Sequence, residues 1–177
     1  MIRSNPVRQL LERDQPAFGV MISIVRNPEI GLIMASGGYD FFVVDMEHSP
    51  LSLESVTDIV MASRATNISP MVRPPSKTAD ALYRVLDVGA EGLLVPHVDT
   101  RDDVEYIIKM TKYHPLGQRG MAMAGLVEKA QVGIQPHHID GGKGLIIEQR
   151  VAQAEQDIDG IGWGVVHTAM KPQIRLQ

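Results

Sequence analysis

An α/β fold built on parallel strands is what this sequence predicts, and three observations carry the prediction. Short apolar runs start at Phe18, Phe41, Ser69 and Gly92, at intervals of 23, 28 and 23 residues. Amphipathic helical segments with their own start and stop signals fill the gaps between them. The runs are continuous instead of alternating, as in FFVV and GLLV, which is the pattern of strands covered on both faces. Parallel pairing follows, because a parallel return needs a crossover long enough to hold a helix.

Taken in order, the chain opens on MIRSNPVRQLLERDQ, amphipathic and polar, and reaches its first strand at FGVMISI. Asn27-Pro28 followed by Ile30, Ile33 and Met34 and closed by Gly37-Gly38 gives a cap, a first-turn proline and a terminating glycine, hence a helix. FFVVDME is the second strand. Leu53, Val56, Ile59 and Val60 share one face of the helix after it. SPMVRPP forms the third strand, and Leu82, Val85 and Leu86 form the buried face of a helix that stops before Gly89. GLLVPHV is the fourth strand; Thr100 with Asp103 then resembles a capping box ahead of Val104, Ile107 and Ile108. The last run, LIIEQ, starts at Leu145, 53 residues after Gly92. That is about twice the usual interval, so a further unit with a weakly marked strand is expected near 117–124.

Composition narrows the function. At 177 residues and 44% hydrophobic content, the chain buries one good core, so a single domain over 1–177 is expected. A net charge of −4 and a pI near 5.8 leave no basic surface for nucleic acid. No apolar run approaches the roughly 18 to 20 residues of a membrane span, and the N-terminus is no signal peptide. The absence of cysteine excludes disulfides, thiolate metal sites and cysteine nucleophiles, and fits a reducing cytoplasm. The expectation is a soluble cytoplasmic protein acting on a small molecule.

In such folds chemistry collects where the strands end. The second strand ends in Asp45-Met46-Glu47-His48, the third in Arg73-Pro74-Pro75, the fourth in Pro96-His97-Val98-Asp99, and the Leu145 strand in Glu148-Gln149-Arg150. Together these exits offer an acid–base imidazole, carboxylates suited to a hard divalent cation, and a guanidinium able to clamp a carboxylate in two places. Each residue also has a plainer use. Asp45 can cap a loop, Glu47 can be a solvated side chain, Arg73 can be an ion-pair partner for either, and His48 can be a surface or hydrogen-bonded structural group. Pro74-Pro75 stiffens the loop behind Arg73 and fixes its direction. Glu148 leaves an apolar run, and buried carboxylates take a partner or a metal. His137-His138 beside Asp140 could suggest metal binding, but adjacent histidines in a strand face opposite ways and the Gly-rich surroundings read as a mobile loop, so the plainer use is preferred. Gly141-Gly142-Lys143-Gly144 precedes a strand where a phosphate loop would follow one.

VVDMEHSP, MVRPP, LDVGAEGLLVPHVDT and YHPLGQRGMA, in this order and at these separations, make the chain resemble the HpcH/HpaI-type class II pyruvate aldolases and the related macrophomate-synthase-like enzymes. The resemblance is best over residues 15–125. It implies a (β/α)8 TIM-barrel type of fold and a divalent metal cation, Mg2+, Mn2+ or Co2+. It also implies cleavage of 4-hydroxy-2-oxo acids to pyruvate and an aldehyde through a metal-stabilised enolate. By that resemblance His48 is the acid–base group, Asp45 orients it, and Arg73 contacts the carboxylate and oxo group of pyruvate. Asp87 serves proton traffic, and Glu148 is the first metal-binding carboxylate. Oligomers with sites near subunit contacts are also implied, so a homo-oligomer is expected.

The departures sit at the C-terminal end. The sixth strand of the family reads like Q-I-E-T where this chain has Ile146-Ile147-Glu148-Gln149. The G-P-x-D-L motif that carries the second metal ligand is replaced by IDGIGWGVVHTAMKPQIRLQ. Asp157 and Asp159 precede that position and read as helix-end residues. A complete barrel takes about 250 residues, so about six βα units are expected, with the last strands missing or divergent after about 160. Three functions stay open at this stage: the metal-dependent aldolase, a citrate-lyase-type carbon–carbon lyase that would need an acyl-CoA site, and a truncated, non-catalytic fragment.

Overall fold

The computed structural model describes residues 4–120 in full and the backbone of 130–139 and 142–151. Four parallel strands, β1 (Gly19–Ile22), β2 (Phe41–Asp45), β3 (Ser69–Arg73) and β4 (Gly92–Pro96), lie side by side in chain order. Helix α1 (Pro6–Glu12) precedes them, and α2 (Ile30–Ser36), α3 (Leu53–Ser63) and α4 (Ala79–Asp87) make the crossovers. Helix α5 (Arg101–Thr111) follows β4 behind the predicted capping box, with Thr100 and Asp103 each accepting from the other's backbone. The Asn27-Pro28 signal falls two residues early: Glu29 is the cap residue of α2, and Asn27 accepts from the Glu29 N–H at 2.9 Å in a turn that leads into it.

Both faces of the sheet are covered, which is why the strands read as unbroken apolar runs. Phe42, Val44, Val72, Leu93 and Val95 meet Val56 and Ile59 of α3, Leu82 and Val85 of α4, and Ile107 of α5. The intervening residues Val43, Met71 and Leu94 point the other way, against Val7 of α1 and Ala17. Neighbouring residues on one strand thus serve two cores.

Helix α2 sits close on α3 through Gly31. A Cβ at Gly31 would overlap the Ser63 hydroxyl and come within 3.2 Å of the Phe42 ring. Ser63 cannot easily yield, since its hydroxyl donates to the Ile59 carbonyl at 2.6 Å. Gly31→Ala is therefore expected to destabilise the chain by about 1–3 kcal/mol, although alanine is the better helix former. A lower urea midpoint with an unchanged slope is the measurement that checks it.

Beyond β4 the sheet departs from expectation. Strands β5 (Ala130–Ile139) and β6 (Gly142–Val151) form an antiparallel pair, and β6 also runs antiparallel to β4. The Leu145 run was expected as one more parallel strand. Only two residues separate Ile139 from Gly142 in the sequence, and a two-residue connection joins antiparallel neighbours, never parallel ones. The strand expected near 117–124 is not formed at 117–120; the rest of it lies outside the described residues. His137 and His138, read from sequence as a mobile loop, belong to β5.

Candidate active site at the strand exits

The register of the sheet assembles the site. Asp45 and Arg73 are direct partners, the last pair of β2 and β3, and the ladder continues one step further where the Met46 N–H donates to the Arg73 carbonyl at 2.9 Å. Their side chains meet on the same side. Arg73 Nε donates to Asp45 Oδ1 at 2.8 Å and Nη2 to Oδ2 at 2.7 Å, the two-pronged pairing that a guanidinium and a carboxylate favour.

Asp45 also shapes the loop that follows it. Its Oδ1 accepts the backbone N–H groups of Glu47 at 2.9 Å and His48 at 3.2 Å, while the Ser49 hydroxyl donates to the Asp45 carbonyl. An aspartate that accepts from the next two or three N–H groups folds the chain back on itself, and this turn presents Glu47 and His48 beside Arg73. Asp45 is 2% exposed. Burial by itself pushes its carboxyl up, but the Arg73 hydrogen bond, the two backbone N–H groups and the Arg73 charge outweigh it and hold the group below the usual carboxylate value. Arg73 is raised in turn, chiefly by its hydrogen bond to Asp45.

Glu47 is the second centre of the cluster. Its side chain is only 8% exposed; Oε2 lies 3.3 Å from Arg73 Nη1, and Oε1 lies 2.8 Å from His97 Nε2 and 3.5 Å from His48 Nε2. The plainer sequence reading of Glu47 as a solvated side chain is therefore corrected. Both imidazoles stand on the open side, His48 70% and His97 74% exposed. His97 reaches Glu47 from the exit of β4 with a left-handed backbone, φ 56°, a conformation that costs a non-glycine residue about 1–3 kcal/mol. Its carbonyl accepts from Lys77 Nζ at 3.0 Å, and Lys77 is anchored at 2.5 Å by Asp103, the capping residue of α5. That lysine, with the Asp99 and Thr100 N–H groups, holds the Asp103 carboxyl well below its ordinary value.

The structure thus brings Asp45, His48 and Arg73 together and adds Glu47 and His97. It does not bring Asp87 or the Glu148 backbone to this end. Asp87 is the last residue of α4, just before β4 begins, where it accepts from the buried Arg119 guanidinium at 2.6 Å. That guanidinium also stacks on the Tyr113 ring at 4.8 Å. Glu148 pairs with Gly92, the first residue of β4, while Pro96 at the exit pairs with Gly144. Asp157 and Asp159 lie outside the described residues.

The same geometry tests the implied metal. Among the described residues no cluster of three His, Asp or Glu side chains is placed to hold a cation. Both oxygens of Asp45 are bonded to Arg73, and those of Glu47 face Arg73 and His97. The described residues therefore do not fit a divalent ion; their carboxylates are turned to the Arg73 guanidinium and the His97 imidazole. Arg73 has five N–H donors, so its contacts to the two carboxylates leave it able to meet a further oxygen anion.

Comparison with known proteins agrees with the fold. The family model described as HpcH/HpaI aldolase/citrate lyase matches residues 20–165. A hydroxypyruvate/pyruvate aldolase of Paraburkholderia phytofirmans is 30% identical over 167 residues, covering 89% of this chain and 63% of that protein. A 2-keto-3-deoxy-L-rhamnonate aldolase of Klebsiella pneumoniae is 32% identical over 130 residues, 73% of this chain and 48% of that one. The crystal structure of an HpcH/HpaI aldolase from Desulfitobacterium hafniense superposes with a TM-score of 0.64 at 31% identity, covering 67% of this chain and 46% of its own. The chain thus spans between about half and two thirds of the length of the curated relatives it matches.

Proposed function

The chain belongs to the HpcH/HpaI aldolase/citrate lyase family, and on that premise we propose that it serves a carbon–carbon lyase reaction, cleaving a 4-hydroxy-2-oxo acid into pyruvate and an aldehyde. The observation that carries the reading is the Asp45–Arg73–Glu47–His48 cluster at the exits of adjacent parallel strands. It puts a fixed positive charge beside an exposed imidazole, the two parts such a cleavage needs from the protein.

His48 takes the proton of the C4 hydroxyl, the C3–C4 bond breaks, and the electron pair moves into the C2 carbonyl to give an enolate and the aldehyde. The proton is returned to C3, and pyruvate results. Arg73, held in direction by Asp45, places its remaining donors at the substrate carboxylate and the enolate oxygen, where negative charge develops. Asp45 does not titrate near neutrality, because it is held low. It keeps Arg73 and the His48 loop in place instead.

A divalent cation, Mg2+, Mn2+ or Co2+, belongs to the family reading as a Lewis acid for the oxo acid. No step above is routed through it. Neither Glu148 nor Asp87 is assigned a step, since Glu148 pairs with the first residue of β4 and Asp87 accepts from Arg119 away from the strand exits. A second copy of the chain belongs to the same reading, since among the described residues β1 is an edge strand and an unpaired edge invites another chain.

Pyruvate in heavy water tests the reading, through loss of the methyl proton signal as the enolate forms and reverts. Exchange well above the buffer rate is the expected result, and its response to a chelator and to re-added Mg2+, Mn2+ or Co2+ decides whether a cation takes part. No exchange at any metal concentration would remove the lyase reading. A second reading would then remain, that of a non-catalytic unit keeping only the oxo-acid recognition half.

A further inference from the structure

We propose that His97 is a positioning residue of this site: it holds Glu47 so that the His48 imidazole stays free for substrate. The proposal rests on the lyase reading for its functional consequence, while its structural content stands on the cluster itself.

Two imidazoles approach one carboxylate oxygen, and they do so unequally. His97 Nε2 is 2.8 Å from Glu47 Oε1, within hydrogen-bonding distance, whereas His48 Nε2 is 3.5 Å from the same atom, beyond the 2.7–3.2 Å range of an N–H···O bond. The other oxygen of Glu47 is turned to Arg73 at 3.3 Å. Glu47 therefore faces the Arg73 guanidinium from β3 and the His97 imidazole from β4, and the nearest imidazole in sequence is the one left over. Without His97, a carboxylate 8% exposed would be short of a donor. Leaving a buried acceptor unmet is costly, and His48 is the donor within reach. An imidazole bonded to Glu47 through Nε2 could not use that atom on a substrate hydroxyl.

The backbone at His97 supports a dedicated placement. It is one of two non-glycine residues with a positive φ among the described residues, at 56°, and sparsely populated conformations of this kind gather at functional sites. Lys77, itself fixed by Asp103, donates to the His97 carbonyl at 3.0 Å and keeps the turn in that shape. The N-terminus of α5 and the loop after β3 thus both act on the direction of one exposed ring.

Three variants of the full chain test this: His97→Ala, His97→Gln and His97→Gly. Glutamine returns an N–H near the place of Nε2; glycine relieves the left-handed backbone and offers no donor. Two readouts are taken. The first is the long-range proton–nitrogen spectrum of the His48 ring, which shows whether Nε2 carries a bonded, slowly exchanging proton. The second is pyruvate methyl exchange, split into kcat and KM. In His97→Ala and His97→Gly the His48 Nε2 proton is expected to appear bonded, and kcat to fall roughly tenfold to a hundredfold, the scale of a small misplacement of a reacting group, with KM little changed. His97→Gln is expected to keep wild-type values in both.

A His48 spectrum in His97→Ala identical to that of the wild type would overturn the proposal. So would a His97→Gln variant as impaired as the alanine one, or a glycine variant with wild-type exchange. Should the wild type show no exchange at all, the lyase reading falls, and the His48 spectrum still decides whether His97 controls Glu47.

Discussion

Pyruvate methyl exchange is expected to fall by about 10²–10⁴-fold in His48→Ala, the loss that follows removal of a positioned acid–base group, with hardly any change in folding stability. The asymmetry comes from the geometry. The His48 side chain is 70% exposed, and its contact to Glu47 is 3.5 Å, so alanine there removes no close partner from the fold. Surface substitutions of that kind stay within about 0.5 kcal/mol. The backbone N–H of His48 still donates to Asp45, and the loop keeps its turn. Kinetics and a urea titration on the same preparation check both halves. A variant retaining more than about a tenth of the wild-type rate would show that His48 is not the acid–base group, since even the weakest expected loss is larger.

Asp45→Asn is expected to act in the opposite way, as a fold defect first. The carboxylate is buried and accepts two bonds from Arg73 and two from backbone N–H groups. Removing the charge leaves the guanidinium facing an amide and takes half of its pairing away. Breaking a buried pair by removing one partner costs about 3–5 kcal/mol. The lower part of that range is expected, because the Arg73 side chain is 22% exposed and water can reach it. Exchange activity should fall with it, as Arg73 and the His48 loop both lose their anchor.

The sign of the pH dependence follows from the direction of the shift. The folded Asp45 carboxyl lies below its unfolded value, so the stabilisation is complete above the ordinary carboxylate value of about 3.9 and is lost as the pH drops through the lower, folded value. The gap in unfolding free energy between wild type and Asp45→Asn should therefore be constant from neutrality down to about pH 5 and close below pH 4. The raised Arg73 adds nothing to that window, since its own titration lies far above it. A gap that persists undiminished into strong acid would mean that the carboxylate charge is not what the substitution removes.

The four parallel strands and their helices were legible because each is written locally. FFVV and GLLV show two-sided burial, the Leu82, Val85 and Leu86 spacing shows a helix face, and Thr100 with Asp103 spells the cap that the structure contains. The site was legible in part for a related reason. Asp45, His48 and Arg73 stand at strand exits, and parallel strands in register bring their exits side by side. The direction of the Leu145 run was not legible, because LIIEQ reads the same in either orientation and its antiparallel pairing with β4 is a contact between distant segments.

What the sequence determined by itself is the order of elements, the faces they bury and the kinds of side chain gathered at the strand ends. Hydrophobic period, caps and turn residues act over a few positions, so they leave their mark in the string. Only the tertiary structure decided which oxygen meets which nitrogen: that Glu47 turns inward to Arg73 and His97, and that His97 adopts a left-handed backbone to reach it. Those contacts cross β3, joining residues 50 positions apart. They depend on packing and register summed over the whole sheet, and no local pattern encodes them.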